Sequence, residues 1–156
     1  MSLTQNQIKA SYPLPVYNYR VTVGSSTIGF SEVSGLSVNY KPVTYKHGLS
    51  FVLGDKIIPG MRDPIHLTLK KGVVQGNDFL ADWIQTAYAA NLFANVKKDI
   101  LIDLCDETGK AVVRWKVLGA LPVKLDAPTF DANSQDVAIE TLELVAHDLQ
   151  IDYHPA

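Results

Sequence analysis

Apolar and polar residues alternate along several short stretches of the chain, with the period of two that half-buried β-strands show. The alternating stretches are residues 16–23, 36–41, 65–70, 100–104, 113–117 and 137–145. Residues 106–110, Asp-Glu-Thr-Gly-Lys, separate two of them and form a typical hairpin turn sequence. These patterns predict a mainly antiparallel sheet of short strands.

One segment has a helical period instead. Its apolar stripe consists of Phe79, Leu80, Trp83, Ile84, Ala87 and Tyr88. The stripe predicts a helix over about residues 78–91, with Asn77 or Asp78 as its N-cap. We therefore predict a mainly β fold, a small antiparallel β-barrel or two-sheet sandwich with one flanking α-helix that covers an open edge. Phe79, Trp83 and Trp115 are the predicted aromatic core residues.

Residues 46–64 show neither period, because three glycines and two prolines interrupt them. The segment is nevertheless rich in large apolar side chains, namely Leu49, Phe51, Val52, Leu53, Ile57, Ile58 and Met61. Loops of more than about 12 to 15 residues are usually functional or disordered, and disordered ones are polar. We predict a long loop that projects and is covered by a partner surface. The alternative is an Ω-loop folded onto its own domain.

Charged residues are few for a soluble protein: they make up 19% of the 156 residues, where about 25% is usual. Because interface cores are depleted in Lys, Glu and Asp, this scarcity favours an oligomer. The net charge of −2, with no run of more than two basic residues, argues against a nucleic-acid partner.

Residues 1–9 lack the basic and apolar regions of a signal peptide. The longest uncharged run, residues 83–96, is shorter than the roughly 20 apolar residues that span a bilayer. The single cysteine, Cys105, excludes an internal disulfide. We expect a protein that is made in the cytoplasm without a signal peptide and that does not itself bind membranes.

No nucleophile elbow, phosphate-binding glycine loop or metal-binding motif occurs in the sequence. The four histidines are His47, His66, His147 and His154, which have no metal-ligand spacing. Residues 131–142 begin like a calcium loop, but the sixth position is Asp136 instead of Gly and the twelfth is Leu142 instead of Glu.

The thiol of Cys105 has no neighbouring cation in the sequence and is predicted to be buried and inert. Asp103, Asp106 and Glu107 form an acidic cluster, which we interpret as solvated because it adjoins a hairpin turn. We therefore predict no enzyme activity, no catalytic residues, no cofactor and no metal.

Several phrases spread over the chain together resemble the tail tube family of contractile phages and extracellular contractile injection systems. They are residues 30–36 (FSEVSGL), 45–46 (YK), 59–60 (PG), 67–72 (LTLKKG), 78–79 (DF) with Trp83, 98–100 (KDI), 104–109 (LCDETG), Trp115, 120–124 (ALPVK) and 137–144 (VAIETLEL). The resemblance covers about residues 14–150. The opening residues 12–17, YPLPVY, resemble the tubes of toxin-delivering particles more than those of phage tails.

The resemblance implies one tail-tube domain over residues 1–156, with an extended N-terminal segment over residues 1–15. It implies a subunit that forms hexameric rings, which stack into a hollow inner tube that sheath contraction drives into a target. The implied partners are further copies of the chain, sheath subunits, the baseplate hub, tube-terminating proteins, and an effector or DNA as cargo in the lumen.

The loop is then expected to contact the next ring through Gly48, Leu49, Phe51, Val52, Leu53, Ile57, Ile58, Pro59 and Gly60. Two polar sets are candidates for the lumen surface: Asn18, Arg20 and Thr22, or Ser37, Asn39 and Lys41. Two other functions stay open at this point. One is a monomeric β-barrel that binds a small ligand, and the other is a tube-initiating hub protein of the same fold.

Overall fold

A computed structural model describes residues 2, 4–7, 12–89 and 96–155. Its strands are β1 (Tyr19–Val23), β2 (Ser26–Ile28), β3 (Glu32–Ser34), β4 (Val43–Tyr45), β5 (Lys56–Ile58), β6 (Ile65–Gly72), β7 (Lys98–Cys105), β8 (Ala111–Asp126), β9 (Ile139–Ala146) and β10 (Asp148–Asp152). Its helices are α1 (Ser50–Leu53) and α2 (Phe79–Ala87). The fold is therefore mainly β, as predicted, and every strand pair in it is antiparallel.

The main sheet has the strand order β2-β1-β7-β8-β9-β6-β3, and β10 also pairs with β8. β8 is 16 residues long and links two halves of this sheet. Its first part pairs with β7 and β10, and residues 121–126 pair with β9. A bulge between Pro122 and Lys124 lies in the second part, and bulges increase the bend and twist of a strand. One continuous strand thus belongs to both halves.

The main sheet does not close into a barrel, so the barrel among the two predicted architectures is wrong. Its terminal strands, β2 and β3, are only three residues long and do not pair with each other. A side-chain hydrogen bond links β1 to the segment between β2 and β3: the Tyr19 hydroxyl donates to the Phe30 carbonyl at 2.6 Å. A single bond of this kind leaves a seam where a barrel would have a strand ladder.

The two halves share one hydrophobic core. Alternate residues of β1, β6 and β9 are buried, and β7, β8 and β10 add further buried residues, so side chains from both halves belong to the same cluster. The cluster consists of Val21, Val23, Phe30, Ile65, Leu67, Leu69, Leu80, Trp83, Ile100, Ile102, Val117, Ala120, Leu142, Leu144, Ala146 and Leu149. Among the predicted aromatic core residues Trp83 is buried, while Phe79 and Trp115 are partly buried against the cluster.

Helix α2 attaches to this core through its apolar stripe. Leu80 and Trp83 are its buried residues, and the Trp83 indole N–H donates to the Val96 carbonyl at 2.9 Å. The Lys98 ammonium lies 4.7 Å from the centroid of the Phe79 ring, a cation–π distance. The helix therefore contributes one buried face to the core.

The ends of α2 can be compared with the predicted helix over about residues 78–91, for which Asn77 and Asp78 are the N-cap candidates. The Phe79 N–H donates to Asn77 Oδ1 at 3.4 Å, whereas the Asp78 side chain makes no capping hydrogen bond. The helix ends at Ala87, and residues 90 and 91 of the predicted helix lie outside the described residues. The Tyr88 hydroxyl then donates to the Pro122 carbonyl at 2.7 Å, which ties the end of α2 to β8. Among the described helices, none is long and apolar enough to cross a membrane.

Residues 36–41 are not a strand, which corrects the prediction from their alternation. Gly35, just before them, has φ +91°, and a β-carbon on it would lie 2.0 Å from the His66 carbonyl oxygen. The chain thus passes against β6 at a position that only glycine fits, and then leaves the sheet. Only an isolated bridge between Tyr40 and Arg62 follows.

Replacing Trp83 with Ala should lower the free energy of unfolding by about 3 to 5 kcal/mol, because it removes a large buried side chain and leaves a cavity. Urea unfolding followed by far-UV circular dichroism measures this change. The matched control is Phe51→Ala, since that aromatic side chain is 89% exposed and its loss should change stability by less than about 0.5 kcal/mol. Equal effects of the two substitutions would contradict the assignment of Trp83 to the core.

Candidate functional site

Residues 39–63 form an arm that leaves the main sheet and returns to it. At its base the Asp63 N–H donates to the Asn39 carbonyl at 2.8 Å, and the Lys41 N–H donates to the Met61 carbonyl at 3.0 Å. Strands β4 and β5 continue the hairpin, and α1 forms its tip. The predicted long loop over residues 46–64 therefore contains regular structure of its own, α1 and β5.

Local hydrogen bonds give the tip its shape. The His47 N–H donates to Ser50 Oγ at 2.7 Å, and the Leu49 N–H donates to His47 Nδ1 at 3.2 Å. The Gly54 N–H donates to the Ser50 carbonyl at 2.8 Å and closes the turn of α1. These bonds order the backbone without any contribution from buried apolar packing.

The arm presents its apolar side chains to solvent in the isolated chain. Phe51 is 89% exposed, Ile57 73% and Leu53 69%. Among the described residues, β4 and β5 pair only with each other, and every residue of both strands is exposed. The alternative of an Ω-loop folded onto its own domain therefore does not match the structure. Contiguous exposed apolar surface of this kind marks a contact site.

The predicted interface residues divide into two groups. Gly48, Leu49, Phe51, Val52, Leu53, Ile57, Ile58 and Pro59 are all exposed on the arm. Gly60 is half-buried at the base, where a β-carbon on it would lie 1.6 Å from the Lys41 carbonyl oxygen. Its missing side chain lets the two segments of the arm approach each other, so the structure gives Gly60 a role in forming the arm.

A salt bridge attaches the base of the arm to the body of the molecule. Arg62 Nη1 lies 2.5 Å from Asp148 Oδ1 at the start of β10, and both side chains are less than one-third exposed. Lys41 and Asp63 form a second, more exposed pair at 3.2 Å. The arm is therefore fixed at its base and free along the rest of its length.

The first candidate set for the lumen lies on and beside β1. Val21 and Val23 point into the core, so Arg20 and Thr22 lie on the opposite, outward face. Asn18 precedes the strand, and its amide donates to the Asp106 carbonyl at 2.5 Å. Asn18 thus contacts the β7–β8 turn, while the other two residues belong to a polar sheet face.

The second candidate set lies elsewhere, at and before the base of the arm. Ser37, Asn39 and Lys41 are all exposed, and the Asn39 amide donates to Ser37 Oγ at 3.3 Å. Because residues 36–41 are not a strand, these three side chains do not form a sheet face. The structure therefore does not bring the two candidate sets together.

A buried carboxylate organises the outward face of β1, β7 and β8. Asp103 is 2% exposed. Its Oδ1 accepts a hydrogen bond from Arg114 Nε at 2.7 Å, and its Oδ2 accepts one from Arg20 Nη2 at 3.2 Å. Burial alone would raise the pKa of Asp103, but the hydrogen bonds from Arg114 and Arg20 outweigh it, and the pKa is lowered. The prediction that Asp103 is solvated is wrong, because cross-strand pairing places it between the two guanidinium groups.

Asp106 has a different role, in the turn between β7 and β8. Its Oδ1 accepts from the Thr108 hydroxyl at 2.6 Å, the Thr108 N–H at 2.9 Å and the Lys110 N–H at 3.0 Å. The side-chain hydrogen bond from Thr108 is the main cause that lowers the pKa of Asp106. This carboxylate therefore stabilises the turn that the sequence predicts.

An apolar groove, here called the seam groove, lies between β3 and the strands β1, β7 and β8, with a volume of about 780 Å³. Its lining residues are Val16, Tyr17, Tyr19, Phe30, Ser31, Glu32, Val33, Leu36, Ile102, Leu104 and Trp115. Phe30 and Ile102 are buried, whereas Val16 and Tyr17 are more than four-fifths exposed. The groove occupies the region where the sheet fails to close, and no sequence pattern predicts it.

Within the described part of the chain, no three His, Cys, Asp or Glu residues are grouped as metal ligands. His66 is exposed on the outward face of β6, and Cys105 is buried with its thiol 3.6 Å from the Asp103 carbonyl. The features that stand out are thus surfaces for contact: the arm, the seam groove and the polar outward face.

Residues 15–150 match the family model described as T4-like virus tail tube protein gp19. Among curated proteins, none is similar enough to the chain to count as a match.

Solved structures give similar chains of nearly the same length. One, from the sheath–tube complex of an extracellular contractile injection system, PVC, in its extended state, has 35% identity and a TM-score of 0.87, with 97% of this chain and 99% of that chain covered. Another, from the tube-terminating cap of the anti-feeding prophage, has 34% identity and a TM-score of 0.85, with 98% and 99% covered. A third, from the PVC sheath/tube terminator, has 36% identity and a TM-score of 0.83, with 91% and 98% covered.

Replacing Asp103 with Asn should lower the free energy of unfolding by about 2 kcal/mol at pH 7, because charge-assisted hydrogen bonds contribute about 1.5 to 3 kcal/mol. Since the folded-state pKa is lowered, this stabilisation is present above the unfolded-state pKa of about 3.9 and is lost as the pH falls through the folded value. Urea unfolding at pH 7, 5, 3 and 2 measures the difference between the two proteins.

The control is Asp126→Asn, because Asp126 is half-exposed in a surface pair with Lys124 and such pairs contribute about 0 to 1 kcal/mol. A difference between wild type and Asp103→Asn that stays constant down to pH 2 would contradict the assigned ion pairs.

Proposed function

Because the chain belongs to the T4-like virus tail tube protein family, we propose that it is the subunit of the hollow inner tube of a contractile injection system. The observation that carries this proposal is the arm, whose exposed apolar side chains require a partner. The proposed subunits form hexameric rings, and the rings stack within a sheath whose contraction drives the tube into a target.

The arm supports the contact between stacked rings. It is fixed at the base by Arg62 and Asp148 and carries Leu49, Phe51, Val52 and Leu53 at its tip, all more than half exposed. A segment that is ordered before it binds loses less conformational entropy on association. We therefore place the tip residues, together with Ile57, Ile58 and Pro59, in the interface between rings.

Two strand edges support contacts within a ring. In the described part of the chain, β3 pairs only with β6, and residues 124–126 of β8 pair only with β9. Each edge therefore presents backbone N–H and C=O groups that lack a partner strand. Different surfaces of neighbouring copies meet in a head-to-tail ring, so one edge of a subunit can contact the other edge of its neighbour.

The family and its relatives indicate the remaining partners. Sheath subunits, the baseplate hub and a tube-terminating protein are the proposed protein partners, and an effector or DNA is the proposed cargo. Arg20 and Thr22, with Asn18 beside them, remain one candidate lumen surface, and Ser37, Asn39 and Lys41 remain the other. The subunit contributes the walls of a conduit, and we propose no catalytic role for it. Its proposed place is a phage tail or an extracellular tail-like particle.

The alternative of a monomeric barrel that binds a small ligand has less support. Such a protein would hold its ligand inside the barrel, but here the sheet is open and the space between its halves is filled by buried side chains. The seam groove lies at the surface and includes residues as exposed as Val16 and Tyr17.

Replacing Phe51, Val52 and Leu53 with Ser should abolish tube formation, because it removes the apolar side chains that we place in the interface between rings. The fold should stay intact, because these side chains contact solvent in the isolated chain. Exposed substitutions usually change stability by less than about 0.5 kcal/mol each. Negative-stain electron microscopy of the purified protein at high concentration counts the tubes, and circular dichroism checks the fold.

The matched control changes the same positions to Leu, Ile and Met, which keeps the tip apolar and should preserve the tubes. Tubes of normal length from the triple-Ser variant would refute the role of the arm, and wild-type protein that never assembles would refute the proposed function.

A further inference from the structure

The seam groove and the arm are complementary surfaces of the same chain. All but two of the residues that line the groove, Ser31 and Glu32, are apolar or aromatic. A volume of about 780 Å³ lies within the range of about 300 to 1,000 Å³ of pockets that bury a whole ligand. The groove therefore has room for several apolar side chains of a short segment.

The net charges of the arm and of the rest of the chain have opposite signs. Residues 39–63 contain four cationic and two acidic residues, so the arm carries a formal charge of +2 in a chain whose net charge is −2. The rest of the chain is therefore acidic, and the one charged residue that lines the seam groove is Glu32. Glu32 forms an exposed ion pair with Lys70 at 3.4 Å, so its charge is partly compensated within the chain. Lys56, on β5 near the tip, has the opposite sign to Glu32. Complementary charges favour association in one orientation.

The arm of the same chain does not cover this groove. In the part of the chain that the structure describes, β4 and β5 pair only with each other, and the tip side chains remain more than half exposed. A second copy of the chain can supply the partner surface. Each subunit has one arm and one groove, so the two surfaces are present in equal numbers. Building on the proposed function, we propose that the tip of the arm, Phe51 to Leu53, binds in the seam groove of a second copy.

This contact closes the seam that the sheet leaves open. Residues of the second copy cover Leu36, Trp115 and the other partly buried side chains along the gap. The two surfaces are different, so each subunit that binds a neighbour still has one unoccupied arm or groove. Contacts of this head-to-tail type extend without limit unless rotation closes them, as a growing tube requires.

Chemical cross-linking tests the contact in assembled tubes. The test protein carries Phe51→Cys at the tip and Tyr17→Cys at the groove, two positions that are 89% and 82% exposed in the single chain. Cysteine is a small apolar residue and Val52 and Leu53 are kept, so this variant should still form tubes, unlike the triple-Ser variant. A short bis-maleimide should join the two cysteines of different copies and give a ladder of dimers, trimers and larger species in denaturing electrophoresis. Native Cys105 is buried and common to all variants.

Three control proteins make the outcome specific. Phe51→Cys alone and Tyr17→Cys alone should give no ladder, because each lacks the partner thiol. Phe51→Cys with Gln150→Cys places the second thiol on an exposed position of β10, outside the groove, and should also give no ladder. Circular dichroism and electron microscopy confirm that each variant folds and forms tubes before the reagent is added.

A ladder from the Phe51/Tyr17 pair that is absent from the Phe51/Gln150 pair is the expected result. Tubes that give no ladder, or an equal ladder from the Gln150 pair, would overturn this contact and leave the proposed function standing. Wild-type protein that forms no tubes would overturn the proposed function and this contact with it.

Discussion

The open seam of the main sheet is the constraint on which the rest of the structure depends. The strands at its two ends, β2 and β3, are three residues long, so the sheet ends before it can pair with itself. An antiparallel sheet that does not close exposes strand edges and leaves part of its interior accessible. In this chain the seam groove is that accessible part, and buried Phe30 and Ile102 line it.

The residues that stabilise the fold are different from those that we propose to contact neighbouring subunits. The body is held together by β8, which belongs to both halves of the sheet, by the shared core, and by Asp103 between Arg20 and Arg114. The arm contributes no buried residue to that core. Substitutions in the arm can therefore alter association without unfolding the body, a separation that the two sets of variants measure independently.

The sequence predicts the elements whose period is long enough to be unambiguous. β6 and the β7–β8 hairpin have eight or more residues in each strand, and alternation over that length identifies both the strand and its inward face. The sequence predicts the projecting apolar segment but not its strands, because β4 and β5 are three residues long and both of their faces are exposed. The burial of Asp103 has no local signal, because its partner Arg20 is 83 residues away in the chain and its neighbours in sequence, Asp106 and Glu107, suggest a solvated acidic cluster. The seam groove is formed by residues of five separate segments and has no local signal.

The geometry of the arm bears on how strong one contact has to be. An isolated two-stranded hairpin is marginally stable in water, and this arm adds the Arg62–Asp148 pair at its base, the close approach at Gly60 and the local bonds of the tip. Because the arm is ordered beforehand, little further ordering opposes binding. In the proposed ring the arms of all subunits face the next ring together, so the first contact raises the effective concentration of the others. Each contact can then be weak, so that a misplaced subunit dissociates during assembly. The completed ring is stable because many such contacts act together.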